Sequence, residues 1–284
     1  MSKVRRSALA GLLAVGLLAT AGCGESDDDG SEEDTGGAEM QEDVSEDTGQ
    51  KDAGMSDADG ESTLPEGFSF ASSYKMRFSE FAFSDDSPGA DANIFLEDFL
   101  DQSREFPIVV LLHLKKIDAE AETAKLRGGA GLKVDKQCAP TEMMECQYKW
   151  DPMSEEKYSD IELDSETGEI TGGLDRLDFV GTTQFESGET EKFILPINDI
   201  TFSEASLRPV DDGVKIEGAT LKGYVTKEAA DKAVVKLSSG SDGIKISALL
   251  DPEEMNHDVD GDGTNDAWWL SATFTARETR IKGN

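Results

Sequence analysis

The chain has 284 residues and is strongly acidic, since 60 Asp and Glu stand against 27 Lys and Arg and give a formal net charge of −33. A molecule with this charge repels nucleic acid and anionic membrane surfaces, so the composition argues against both as partners. Every aromatic residue lies beyond residue 63. A folded domain is therefore expected over residues 64–284, which is long enough for one large or two small hydrophobic cores.

The first residues have the pattern of an export signal. Three basic residues precede an apolar run at 8–19, which is shorter than the roughly 20 residues that a membrane-spanning helix needs. The tetrapeptide Thr-Ala-Gly-Cys that ends at Cys23 resembles a bacterial lipobox, with Thr where Leu is usual. This predicts a lipoprotein signal peptide over 1–22 and lipidation of Cys23. Ordinary signal-peptidase cleavage after Ala21 is the alternative, and it would leave Cys23 as an unpaired thiol.

Residues 23–63 have the composition of a disordered acidic linker. From Gly24 onward this segment holds sixteen acidic residues, one lysine and no aromatic residue. It cannot bury enough apolar surface to offset the entropy of ordering, so it is expected to hold the domain away from the membrane. The alternative is an acidic segment that binds a basic partner or takes up cations. By resemblance to the enteric sorting rule, Gly24 after the cysteine implies the outer membrane or cell surface.

The domain begins with strand patterns. Phe68 to Phe78 keep one parity and Phe81 and Phe83 take the other, which predicts a β-bulge or tight turn near Ser79 and Glu80. A short helix is expected over 93–102. The apolar run at 106–117 predicts a central strand covered on both faces, in which His113 is interpreted as a bonded core residue.

The remaining pattern favours a mainly β fold, an antiparallel sandwich or flattened barrel with one or two short helices. Thr167 and Gly168 form a hairpin-turn signal. The clearest helix starts at the capping residue Thr226 and ends at Gly240. Strands are expected at 243–250 and 268–281, and in the latter alternate residues from Trp268 to Ala276 share one face.

Two further cysteines, Cys138 and Cys146, bracket a short segment in a chain predicted to be exported. Export favours a disulfide between them, which would contribute roughly 2 to 3 kcal/mol on the chain-entropy model. A redox or metal pair is the alternative, although the spacing is not CxxC and no histidine is near in sequence.

The stretch DVDGDGTND at 258–266 has the spacing of a calcium loop. Calcium takes six to eight oxygen ligands, which such a loop supplies from alternate positions around a glycine, here Gly263. The predicted ligands are the carboxylates of Asp258, Asp260, Asp262 and Asp266 and the carbonyl of Thr264. The alternative is a solvated Asp-Gly turn that binds nothing.

This loop resembles the EF-hand-like loops of bacterial exported proteins and the aspartate-rich calcium repeats of thrombospondin type. The resemblance ends at position 12, where Trp269 replaces the bidentate acid. An upstream acid, Asp251, Glu253 or Glu254, is one candidate for its replacement, and a carboxylate from another strand is the other. The flanking residues have strand patterns, so the loop over 258–269 is expected to join two strands.

The sequence contains two histidines and no GxSxG, HExxH, Walker or Rossmann motif, which favours a protein without enzymatic activity. In layout the chain resembles surface lipoproteins of deltaproteobacterial and myxobacterial type, which implies a surface lipoprotein and indicates no activity. The expected partner is an unidentified protein or glycan. The expected function is a calcium-stabilised binding or structural module. The alternative is a carbohydrate-binding or carbohydrate-active surface protein, which would need exposed tryptophans beside paired acids.

Overall fold

The computed structural model describes residues 63–93, 100, 107–134, 146–184, 190–235 and 243–282. Thirteen strands occur in these residues. In chain order they are Ser73–Phe83 (β1), Val110–Asp118 (β2), Thr123–Lys133 (β3), Gln147–Trp150 (β4), Ser159–Leu163 (β5), Ile170–Gln184 (β6), Thr190–Ser203 (β7), Leu207–Val210 (β8), Gly213–Thr226 (β9), Val234–Val235 (β10), Ile244–Lys245 (β11), Ala267–Glu278 (β12) and Arg280–Ile281 (β13).

Eight of the strands form a closed ring. The order β1, β2, β3, β5, β6, β7, β9 and β12 follows the chain, every neighbouring pair is antiparallel, and β12 pairs with β1 to complete the circle. Strand β3 also pairs with β5, through Leu126 and Ser159 among others, so β4 is left out of the ring. The predicted mainly β fold with antiparallel pairing is therefore confirmed, and the closed ring of strands forms a barrel.

The barrel interior is filled by alternate side chains of the ring strands. Met76 and Phe78 on β1 are fully buried, and the ring of Phe78 stacks on that of Phe274 with centroids 4.6 Å apart. The predicted bulge is present, because the register between β1 and β12 shifts between Phe78 and Glu80. Strand β2 is buried on both faces from Val110 to Leu114, as the apolar run indicated.

A second, smaller core lies outside the ring. Strands β4 and β13 form the one parallel pair among the described strands, and β4 also pairs with the end of β3. Tyr148 of β4 and Ile281 of β13 pack with Leu111, which belongs to the outer face of β2, and with Cys146. The two short strands therefore cover part of the outer wall of the barrel.

The helix predicted after Thr226 is shorter than expected. Helix α1 spans Lys227–Lys232, and Thr226 caps it as expected, accepting a bond from the backbone nitrogen of Ala229 at 3.2 Å. The prediction of a helix reaching Gly240 is wrong for the part that is described, because Ala233 is extended and Val234–Val235 is a strand. The strand predicted at 243–250 is also corrected: only Ile244–Lys245 is extended, and Ile246–Leu249 is helix α2.

The turn between β5 and β6 and the helix predicted at 93–102 were two further expectations. The turn between β5 and β6 has the predicted Thr167 and Gly168, and it is held by Asp164, whose carboxylate accepts bonds from the backbone nitrogens of Glu166 and Thr167. Most of the helix predicted at 93–102 lies outside the described residues. Within the described part of the chain, no helix has the length and apolar character that crossing a membrane requires.

Candidate metal site

The loop at 258–266 is closed at its base by a short antiparallel bridge. The backbone nitrogens of Asp266 and Ala267 donate to the carbonyl of His257, at 3.0 and 3.1 Å. The amide oxygen of Asn256 accepts a bond from the backbone nitrogen of Trp269 at 2.7 Å. The loop therefore leaves and re-enters the fold at nearly the same point, where β12 begins.

The core of the barrel holds this base in place. The indole of Trp268 is fully buried, and its nitrogen donates to the carbonyl of Asp251 at 2.8 Å. This bond connects the segment before the loop to the strand after it. Trp268 belongs to the core, as the alternating pattern of the last strand indicated.

Three of the predicted ligands meet at the tip of the loop. Asp258, Asp260 and Asp262 each offer a carboxylate oxygen, and these oxygens all lie within 4.8 Å of one another. Asp260 and Asp262 are exposed and Asp258 is half-buried. At such separations each pair of carboxylates repels by about 1 kcal/mol even in water, so a cation among them would relieve the repulsion. Oxygen-only ligands of this kind suit calcium or magnesium.

Backbone hydrogen bonds orient these carboxylates. The two oxygens of Asp258 accept from the nitrogens of Gly261 and Gly263, both at 2.8 Å. The bond from Gly263 is the main reason that the pKa of Asp258 lies below its ordinary value, so this carboxylate stays ionised. Gly263 has a φ of 91°, which its lack of a side chain allows.

The other two predicted ligands are placed differently. Asp266 uses one carboxylate oxygen to accept a bond from the backbone nitrogen of Val259 at 3.0 Å, and it is not a member of the close group of three. Thr264 donates its backbone nitrogen to Asp262 at 2.8 Å. The structure thus brings Asp258, Asp260 and Asp262 together, while coordination by Asp266 and by the Thr264 carbonyl remains a prediction.

The upstream acids do not join this group. Asp251 caps a short turn by accepting from the nitrogen of Glu253 at 2.9 Å. Burial is the main reason that the pKa of Glu254 is raised, and the neighbouring carboxylates that add to it are those of Asp251 and Asp91. None of these three replaces the acid that is missing at Trp269 in the described arrangement.

A cluster of three half-buried rings lies beside the loop. Trp269 and Tyr224 are directly opposite each other on β12 and β9, and His257 packs on both, with ring centroids 5.2 and 4.8 Å away. Of the other tryptophans, Trp268 is in the core and Trp150 stacks on the guanidinium of Arg127 at 3.8 Å. Trp269 is therefore the tryptophan best placed to meet a ligand at this end.

The other histidine is bonded on both ring nitrogens, as its placement on β2 indicated. His113 contacts the hydroxyl of Ser73 and that of Tyr158, each at 2.9 Å. Burial, and then the charges of Lys75, Lys115 and Arg127, lower the pKa of His113 to about 4.

Ser73 and His113 are a serine and a histidine in hydrogen-bond contact, as in a catalytic pair. The charges around His113 are unfavourable for it to act as a general base. A general base works best with a pKa near the working pH, and it needs a neighbour that stabilises the imidazolium. Cations surround this ring instead. Sequence reasoning missed Ser73 and Tyr158 as its partners, although the strand parity of β1 and β2 places Ser73 and His113 on the same outer face.

The sites predicted outside the loop are only partly described. Cys23 lies outside the described residues, as does Cys138. Cys146 is buried in the second core and is disulfide-bonded. Its pairing with Cys138 therefore stays a prediction.

The fold and the site together define the class of protein: a mainly β barrel with an aspartate-rich loop at the start of its last ring strand. Comparison with protein-family models, with curated proteins and with solved structures finds no match to this chain.

Proposed function

We propose that the protein is a non-enzymatic, lipid-anchored envelope protein whose loop at 258–266 binds calcium and thereby stabilises the β domain. The observation that carries the calcium proposal is the meeting of three aspartate carboxylates within 4.8 Å on a loop whose ends are fixed to the barrel. The lipid anchor at Cys23 is supported by the sequence of residues 1–23.

A stabilising role follows from where the loop is attached. Its base includes the first residues of β12, which pairs with β9 on one side and with β1 on the other. A cation that fixes the loop would also fix the entry into the strand that completes the ring. The bridge between His257 and Ala267 already holds the two ends, so binding is expected to rigidify the loop without opening a new surface.

The test is thermal and urea unfolding of the purified protein, titrated with calcium and separately with magnesium. Extracellular calcium modules bind at about 0.1 to 1 mM, so 10 mM calcium should add about 1.4 to 2.7 kcal/mol to the free energy of unfolding. The Asp260→Asn, Asp262→Asn double variant should lose this gain. The matched control is Asp85→Asn, Asp86→Asn, which removes two charges from another exposed turn and should keep it.

The two outcomes are distinct. A calcium-selective gain that is absent only from the loop variant supports the proposal. An equal gain with magnesium, or the same gain in both variants, would show general screening of a highly acidic molecule, and the calcium site would then be abandoned.

The carbohydrate alternative is the weaker of the two. It requires exposed tryptophans beside paired acids, and Trp268 is fully buried while Trp150 is covered by Arg127. What favours it is the half-buried pair of Trp269 and Tyr224 next to the loop, since stacked rings of this kind can contact a sugar face.

A further inference from the structure

The protein contains an apolar cavity of about 70 Å³ between the ring of strands and helix α2. The mouth of a β-barrel is a frequent position for a ligand pocket, and a ring of eight strands has room inside for one small ligand. The side chains that line this cavity are all apolar. They include Phe81, Phe179 and Leu270 from the ring strands, and Ile246, Leu249 and Leu250 from α2 and the residue after it.

Aromatic rings fill the interior of the barrel as far as the cavity. The ring of Phe78, which stacks on Phe274, is followed by that of Phe81, with centroids 6.2 Å apart. Phe81 in turn packs against Phe179, with centroids 5.3 Å apart, and these two rings line the cavity. The cavity therefore begins where this aromatic packing inside the barrel ends.

Helix α2 covers the cavity only in part. It spans four residues and is joined to the end of α1, because the backbone nitrogen of Ile246 donates to the carbonyl of Ala233 at 2.9 Å. Ile246 and Leu249 are half-buried, and so are Phe83 and Leu195, which line the cavity from β1 and β7. These side chains belong both to the lining and to the protein surface, so the cavity is open at its rim. A slender apolar molecule can enter it without separation of the ring strands.

The chemistry of the lining favours hydrocarbon over water. A buried water needs two to four polar partners, and the apolar side chains of this lining supply none, so a cavity of this kind stays dry. Atoms that face an empty space also lose their dispersion contacts. A hydrocarbon group would restore those contacts and would leave water itself. Each methylene that it buries should strengthen binding by about fourfold.

We propose that this cavity binds the end of the hydrocarbon chain of a single-chain lipid, whose polar head stays outside the rim. Volume favours a chain over a compact ring, because an apolar cavity that holds benzene measures about 150 Å³ and this one about 70 Å³. A chain needs to insert only its end. A lipid with two chains would leave the second one in water. A neutral head is favoured over an anionic one, because the molecule has a net charge of −33. This binding site is separate from the calcium loop and does not depend on it.

The experiment measures binding of straight-chain alcohols, from ethanol to 1-octanol, to the full-length protein by NMR titration, with benzene as a separate arm. The alcohols are neutral, so the charge of the protein does not affect the comparison between them. Affinity should rise by about fourfold for each added methylene until the cavity is filled. It should then level off, because further methylenes remain outside the rim.

Two variants change the lining in different ways. Leu249→Gln places an amide in it at a half-buried position, and Ala92→Leu fills part of the space. Each should weaken the binding of 1-octanol by about tenfold or more. The control Met153→Gln replaces an exposed apolar side chain outside the lining and should leave binding unchanged. Circular dichroism and the unfolding midpoint check that the variants are folded, and Leu249→Gln alone suffices as the test if Ala92→Leu is not.

Affinity that rises with chain length, levels off and is lost in the cavity variants alone supports the proposal. Unchanged binding in Leu249→Gln, or an equal loss in Met153→Gln, would overturn it by placing the bound alcohol elsewhere. Affinity that still rises without levelling off at 1-octanol would overturn it in favour of adsorption to the protein surface. Binding of benzene as tight as that of 1-octanol would overturn the assignment of a chain, and the absence of binding in all arms would refute the site outright.

Discussion

The buried histidine on β2 predicts a specific dependence of stability on pH. His113 has a pKa of about 4 in the folded protein, because it is buried and lies near Lys75, Lys115 and Arg127. Unfolding returns it to its ordinary value of about 6.5. The unfolded state therefore binds a proton that the folded state rejects whenever the pH lies between these values. This contribution to stability is fully present above pH 6.5 and is lost as the pH falls toward 4.

The size of the effect follows from the difference between the two pKa values. About 2.5 units at 1.36 kcal/mol each give an upper limit of about 3 kcal/mol between pH 7 and pH 4. The His113→Gln variant keeps a polar side chain that can bond to Ser73 or Tyr158, but this side chain does not titrate. Wild type should therefore lose up to about 3 kcal/mol more than the variant over this range.

Urea unfolding at pH 7, 6, 5 and 4, with fixed ionic strength and a chelator present, measures this difference. The control His257→Gln removes the other histidine and should retain the loss, because His113 is still present. Parallel curves for wild type and His113→Gln at every pH would refute the reasoning. An NMR titration that showed an imidazolium at residue 113 near pH 6 would refute it as well.

Two further substitutions test the helix cap and the core beneath the loop. Thr226→Ala removes the hydroxyl that accepts from the nitrogen of Ala229, so urea unfolding should show a loss of about 1 kcal/mol, and Thr226→Ser should recover most of it. Trp268→Phe leaves a cavity in the core and removes the bond to the carbonyl of Asp251, so a loss of about 2 to 4 kcal/mol is expected. A loss as large in Trp269→Phe, on the outer face, would contradict the assignment of Trp268 as the buried ring.

Local sequence patterns predicted those parts of the fold whose secondary structure is determined by residues close together in the chain. The change of parity after Phe78 predicted the bulge because inward and outward positions alternate strictly along a strand. The helix after Thr226 was predicted too long because its stripe of apolar residues was read as one face. In the structure Ala233 is extended and its carbonyl accepts from the nitrogen of Ile246, so a contact with a later segment ends the helix.

Clusters of side chains likewise differ in whether their members are close in sequence or are brought together by strand pairing. The three aspartates that meet in the loop lie within five residues, so their spacing alone revealed them. The cations Arg77, Lys115 and Arg127 lie on the outer face of the consecutive strands β1, β2 and β3, and Arg277 comes beside Arg77 only when β12 pairs with β1. In sequence Arg277 is 150 residues beyond Arg127, so no short motif contains both. No local pattern could have grouped them before the strand order was known.

The closure of the ring also depends on β3, whose strand pattern at 124–134 is confirmed although its centre is rich in glycine. Its first half pairs with β5 in the ring and its last residues pair with β4 outside it, so the strand must fit two layers at once. A side chain at Gly128 would meet Leu174 at 2.5 Å on the inner face, and one at Gly131 would meet Leu111 at 2.6 Å. Glycine lowers strand propensity, yet here it is what lets both layers approach the same strand. The glycines of β3 therefore lie where the ring pairs with β5 and the outer strand β4 begins to pair.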